Sequence, residues 1–130
     1  MTIHDMMQQV ALLSYGTYKR DGDVSRIEIR TPGDRTQVLY GRVQRMADED
    51  VGVLYTFVGR INEDIDARAL LELNAALRHA RVALLHGEDI FLLALFDLVR
   101  TSINECAPIL QELAAVADDL EHRWYSVDNG

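Results

Sequence analysis

The sequence predicts an α+β domain, an antiparallel sheet with helices packed on it, in the order α-β-β-β-β-α-β-β-α. Three observations predict it. Apolar residues recur at helical spacing near both ends and once in the middle, and at strand-like spacing between. The strand-like runs are divided by short turn signals, Asp21-Gly22, Thr31-Pro32-Gly33-Asp34 and Gly87-Glu88. The length, 130 residues with 48 % apolar and 26 % charged side chains, fits one globular domain spanning 1–130 with one core.

Thr2 is placed to cap the first helix, with Asp5 three residues on and Ile3, Met6, Met7, Val10 and Leu13 on one stripe. Next comes YGTYKRDGDVSRIEI, whose Asp21-Gly22 suits a two-residue type I′ turn between strands near 15–20 and 24–31. Pro32 and Gly33 have the order of a type II turn, which leads into the strand RTQVLYGRVQRM. Pairing across that turn sets Ile27 and Ile29 beside Thr36, Val38 and Tyr40. The opposite face then holds Arg26, Glu28 and Arg30 beside Arg35, Gln37 and Leu39, as in a sheet with one buried and one wet side. ADED turns the chain into a fourth strand, VGVLYTFVG.

Asp64 or Asp66 can start a second helix, DARALLELNAALRH, with Leu70, Leu73, Asn74 and Leu77 on one face. Asn74 is the odd member. Its amide is expected to satisfy a nearby backbone group, the alternative being a ligand contact. RVALLHGEDIFLLALFDL then reads as a hairpin around Gly87-Glu88. That register places Ala83, Leu85, Ile90, Leu92, Ala94, Phe96 and Leu98 on one face and Val82, Leu84, Phe91, Leu93 and Leu95 on the other. A final helix runs from about Ser102 to Tyr125, with Ser102 and Glu105 spaced for a capping box. Leu110, Leu113, Ala117, Leu120 and Trp124 form its apolar stripe, and Asp118, Asp119 and Glu121 its solvated side. Pro108 leaves its start open: at Ser102, or near Ala107 with the proline in the first turn.

Net charge is −8. Residues 1–60 hold eight basic and eight acidic groups, and residues 61–130 hold five and thirteen, so the second half carries the excess. Such a balance opposes general binding to nucleic acid or anionic lipid. The single Cys106 cannot form an internal disulfide, the N-terminal stretch lacks a basic flank and long apolar run, and no segment matches a membrane span. A cytoplasmic protein with no membrane contact is the expectation.

Catalytic chemistry has little to stand on. His79 and His86 bracket an extended segment that would hold them ~20 Å apart, and no His-x-x-x-His pair or cysteine cluster exists. There is no phosphate-cradling glycine loop and no G-x-S-x-G elbow. Cys106 near a helix start could be a nucleophile or simply a small core residue. The arginine-bearing face, Arg26, Arg30 and Arg35, lacks the interleaved exposed aromatics of a single-strand binder and is interrupted by Asp21, Asp23 and Glu28. It reads as a solvated face or as a docking face for an acidic partner segment. We therefore expect no enzyme, no cofactor and no metal.

From Arg35 to Tyr125 the chain resembles the YbjN-like proteins and the related class I type III secretion chaperones. RTQV, VGVLYTFVGRI, ALLELNAALRHARVALLHGEDIFLLALFDL and the acidic LQELAAVADDLEHRWY carry the likeness. The resemblance implies a type III secretion chaperone-like fold. On the secretion-chaperone side it also implies homodimers that hold partner segments without hydrolysing anything. Two departures count against a straight carry-over: the extra YGTYKRDGDV hairpin, and DLVRTSI where a proline often follows the second hairpin strand. The YbjN-like side is the better match.

A hairpin apolar on both sides needs two covers. One is the C-terminal helix. The other is either the Leu70–Leu77 helix or the same face of a second subunit, with Val82, Leu84, Phe91, Leu93 and Leu95 as the interface. The expected function is a non-catalytic, dimeric adaptor or chaperone-like module that captures a protein segment. The alternative is a YbjN-like regulatory protein without chaperone activity, or a small-molecule sensor or enzyme using a pocket near Asn74 or Cys106.

Overall fold

Thr2 opens the chain's first helix, α1 (Ile3–Leu13), with a full capping box: its hydroxyl accepts the Asp5 N–H at 3.1 Å and the Asp5 carboxylate accepts the Thr2 N–H. The structure, a computed structural model, describes residues 2–32 and 34–125. Ile3, Met6, Met7 and Val10 are buried as the stripe predicts, whereas Leu13 is half exposed because the helix ends there. It ends in a Schellman motif, with Gly16 N–H on Ala11 O and Tyr15 N–H on Leu12 O. That geometry needs a left-handed residue, and Tyr15 supplies it at φ 56°. Strand β1 (Thr17–Asp21) therefore begins two residues later than expected.

A non-glycine residue in this conformation is strained, and the Tyr15 side chain is 97 % exposed. Tyr15→Gly is expected to raise stability by about 0.5 kcal/mol, the relief outweighing glycine's extra chain entropy. Thermal unfolding followed by circular dichroism checks it. A lowered melting temperature would contradict the strain argument.

β2 (Val24–Thr31), β3 (Arg35–Met46), β4 (Glu49–Arg60), β5 (Arg81–Leu85) and β6 (Asp89–Asp97) complete one six-stranded sheet. Its order is β1-β2-β3-β4-β6-β5, and every neighbouring pair is antiparallel. With α2 (Ala67–Leu73) and α3 (Ile103–Tyr125), this is the predicted α+β class and element order. α1 and α3 pack on one face of the sheet, burying Ile27, Leu39, Leu54, Leu92, Leu110 and Leu113 between them.

Two registers differ from expectation by one residue, for the same reason. Between β2 and β3 the loop has three residues, because Thr31 pairs with Arg35 rather than with Asp34. Asp34 takes the left-handed position at φ 62°, as three-residue loops require; Gly33 lies outside the described residues. Ile27 and Ile29 therefore face Leu39 and Gln37, and Arg26, Glu28 and Arg30 face Tyr40, Val38 and Thr36. Between β5 and β6 the loop is again three residues, His86 to Glu88, with His86 and Gly87 at positive φ. Val82 now pairs with Leu92 and Leu84 with Ile90. Each one-residue slip exchanges a strand's two faces relative to its partner.

Of the two later helices, α2 departs from its expected bounds, while α3 takes the start at the Ser102 cap and ends at Tyr125. α2 stops at Leu73 rather than near His79. Beyond it, the Arg78, His79 and Ala80 N–H groups donate to the Glu112 carboxylate of α3 at 2.8, 2.7 and 2.7 Å. α3 begins at Ile103, with the Ser102–Glu105 capping box formed and Pro108 inside the helix. Burial of Cys106, Ala107, Ile109 and Leu110 holds that first part helical despite the missing proline donor. Asp118 is not on a solvated side: it is 5 % exposed and pairs with Arg35.

Candidate functional site: the uncovered sheet face

Alternation along β3, β4 and β6 sends Leu39, Leu54 and Leu92 toward the helices and Tyr40, Tyr55 and Leu93 the other way. No described helix covers this second face. α2, the candidate cover, instead sits on the helix side, where Leu70 meets Val82, Leu84 and Ile90. The outer face is aromatic across its middle. Tyr40 stacks on Tyr55 with ring centres 5.5 Å apart, Tyr55 leans on Phe91 at 6.3 Å, and Phe91 meets Phe57 edge-on at 5.4 Å.

Val53, Tyr55, Phe91, Leu93, Leu95 and Met46 line a cleft of about 430 Å³ on this face. Phe57 is 45 % and Leu95 49 % exposed, while Val53 beneath them is buried. Arg42 is the cation of the cleft. Its guanidinium lies 5.8 Å from the Tyr55 ring centre and donates to the Gln44 side-chain oxygen at 3.1 Å. Burial raises the Tyr55 pKa, with Arg42 pulling the other way. Arg42 and Arg81 on one side of the charge balance, and Asp89 and Asp97 on the other, ring the apolar centre.

Of the five residues expected at an interface, Phe91, Leu93 and Leu95 lie on this face. Val82 and Leu84 do not; the three-residue loop turns them to the helix side and brings Ala83 and Leu85 outward. The three arginines expected on one face are also divided. Arg26 and Arg30 are outward, each paired with a carboxylate, Glu28 at 2.5 Å and Asp34. Arg35 points to α3, where it grips both oxygens of Asp118 at 2.8 and 2.7 Å. That bidentate bond, first, holds the Asp118 pKa below its ordinary value against the opposing effect of burial.

Tyr40, Tyr55, Phe57 and Arg42 were not among the expected site residues. Their signal is period-two alternation in RTQVLYGRVQRM and VGVLYTFVG; the slipped register places Tyr40 on the wrong side, and the sequence reading gives the fourth strand no facing. On the arginine face, Tyr40 lies directly across from Arg26, half-buried rather than exposed.

The other candidate centres are closed. Asn74 satisfies a backbone neighbour, as the first of its two expected roles has it: its side-chain oxygen accepts the Val82 N–H at 2.6 Å and its amide donates to Val82 O at 3.4 Å. Cys106 is fully buried, and burial pushes its thiol up to about 12. Native protein is expected to resist iodoacetamide at pH 8 and to react once unfolded in urea. Rapid native labelling would show that the helix start opens. His4, Tyr18 and Ser25 meet where α1 crosses β1 and β2, with His4 Nδ1 2.7 Å from Ser25 Oγ and 3.1 Å from Tyr18 Oη. Ser25 is sealed from solvent, so this trio ties elements together rather than presenting a nucleophile. Among the described residues, no group of three or more His, Cys, Asp or Glu is placed to hold a metal ion, and no helix is long and apolar enough to cross a membrane.

The fold and this face define an α+β protein with a sheet covered by helices on one side and apolar, aromatic and uncovered on the other. No protein-family model matches the chain, and no curated protein matches it either.

Proposed function

We propose that the protein is a non-catalytic protein-binding module whose outer sheet face is completed by another polypeptide, in its resting form a second copy of the same chain. The observation that carries this reading is the cleft-bearing face of Phe57, Phe91, Leu93 and Leu95, left bare by the chain's own helices. A homodimer suits it because the rim carries both signs, Arg42 and Arg81 with Asp89 and Asp97, which a two-fold axis can set against each other. The resemblance to YbjN-like proteins and secretion chaperones supports a cytoplasmic adaptor or chaperone-like role, with capture of a partner segment as its work.

Nucleic acid is not the occupant we propose. Arg26 and Arg30 are engaged by Glu28 and Asp34, and the molecule carries −8 overall. Light scattering on the purified protein at micromolar concentration is expected to return twice the chain mass. A monomer at that concentration would remove the homodimer.

A further inference from the structure

β5 is an end strand of the sheet, and such a strand offers unpaired N–H and C=O groups to any neighbouring chain. Its sequence does little to discourage pairing. After Arg81 it is Val82-Ala83-Leu84-Leu85, with no charge and no proline, and Leu84 and Leu85 are 48 % and 39 % exposed. Two successive outward backbone positions, Ala80 and Val82, are nevertheless met by side chains. Glu112 of α3 takes the Ala80 N–H at 2.7 Å, and Asn74, just past α2, takes both the N–H and the C=O of Val82. A carboxamide carries the same donor and acceptor as a peptide unit, so Asn74 occupies the place where a seventh strand would bond.

We propose that Asn74 is a latch that closes the β5 edge, and that releasing it lets β5 pair antiparallel with the β5 strand of a second copy. The latch is lightly held. α2 has only seven residues, Leu71 on it is largely exposed, and an apolar gap of about 130 Å³ remains between Leu70, Leu71, Val82 and Leu84. By the two-residue repeat of the strand, Leu84 turns its backbone to the same open side as Val82, so an unlatched edge presents two successive bonding positions. The device therefore selects how copies of this chain meet. With the edge shut, β5 offers a second copy its side chains rather than its backbone at Val82.

The test uses the full chain carrying Leu93→Arg, so that edge pairing is read apart from face pairing. Adding Asn74→Ala is expected to speed amide exchange at Val82 at least tenfold by NMR. It is also expected to make the mass by sedimentation velocity rise with concentration. A further Leu84→Lys should abolish the rise in mass and leave the fast exchange. Asn74→Ser, too short to reach Val82, carries the same two readouts if the alanine chain does not fold. Unchanged Val82 exchange, or fast exchange with a constant mass, overturns the proposal.

Discussion

Leu93→Arg is expected to turn the proposed homodimer into a soluble, folded monomer. Leu93 lies mid-strand on β6, opposite Tyr55 on one side and Arg81 on the other, in the centre of the bare face. Burying a leucine contributes about 2 kcal/mol, and a two-fold interface loses two of them while gaining two unpaired cations. The dissociation constant should rise by roughly 1,000-fold, from about 4 kcal/mol of lost contact. Folding should survive, because Leu93 is not part of the core against α1 and α3 and a long arginine can extend into solvent. Light scattering and circular dichroism decide among the outcomes. An unchanged dimer places the interface elsewhere, and an unfolded chain makes Leu93 ordinary core.

Removing the Glu112 carboxylate should be strongly destabilising for a single polar substitution. Three consecutive N–H groups, of Arg78, His79 and Ala80, converge on it at 2.7–2.8 Å, and they fasten the α2–β5 connection to α3. Bonds to a charged acceptor contribute about 1.5–3 kcal/mol each when buried, less where water competes. Glu112→Ala should therefore cost about 3 kcal/mol in all. Glu112→Gln keeps one acceptor oxygen and should lose about half as much. Urea denaturation measures both, and a loss under about 1 kcal/mol for the alanine variant would mean that water replaces the carboxylate freely.

The same carboxylate gives the fold an acid limit. Burial raises the Glu112 pKa, but the N–H groups of Ala80, Arg78 and His79 outweigh it and hold the net value below the ordinary 4.5. Asp118 is likewise held below its ordinary 3.8, chiefly by Arg35. For both groups the folded pKa is depressed, so their stabilisation is complete above the ordinary values and is lost as pH falls through and below them. Glu121 runs the other way. Burial raises its pKa, so its contribution is present in acid and lost as pH rises past its ordinary 4.5. The urea midpoint of the wild type should fall from pH 5 to pH 3, and Glu112→Ala should flatten that fall.

Much of the architecture was legible because it is local. The helix starts follow from caps a few residues long: Thr2 with Asp5, Asp66 with the Arg68 N–H, Ser102 with Glu105. Which strands exist followed from alternation, and the inward set Ile90, Leu92, Ala94 and Phe96 was readable from β6 alone. The site was only partly legible. Phe91, Leu93 and Leu95 were found on β6, while the aromatic half on β3 and β4 was lost. Val82 and Leu84 were misplaced by a turn whose length differs by one residue.

By itself, then, the sequence determined the class, the element order and the apolar character of both sides of β6, since periodicity and capping act within a few residues along the chain. Only the tertiary structure decided which sides share a face, that Arg35 serves Asp118 across 83 positions, and that α2 lies on the helix side of the sheet rather than over its outer face. Loop length sets strand register, and register is a relation between strands. A difference of one residue in a turn is nearly silent in composition, yet it inverts the faces of one strand relative to its partner.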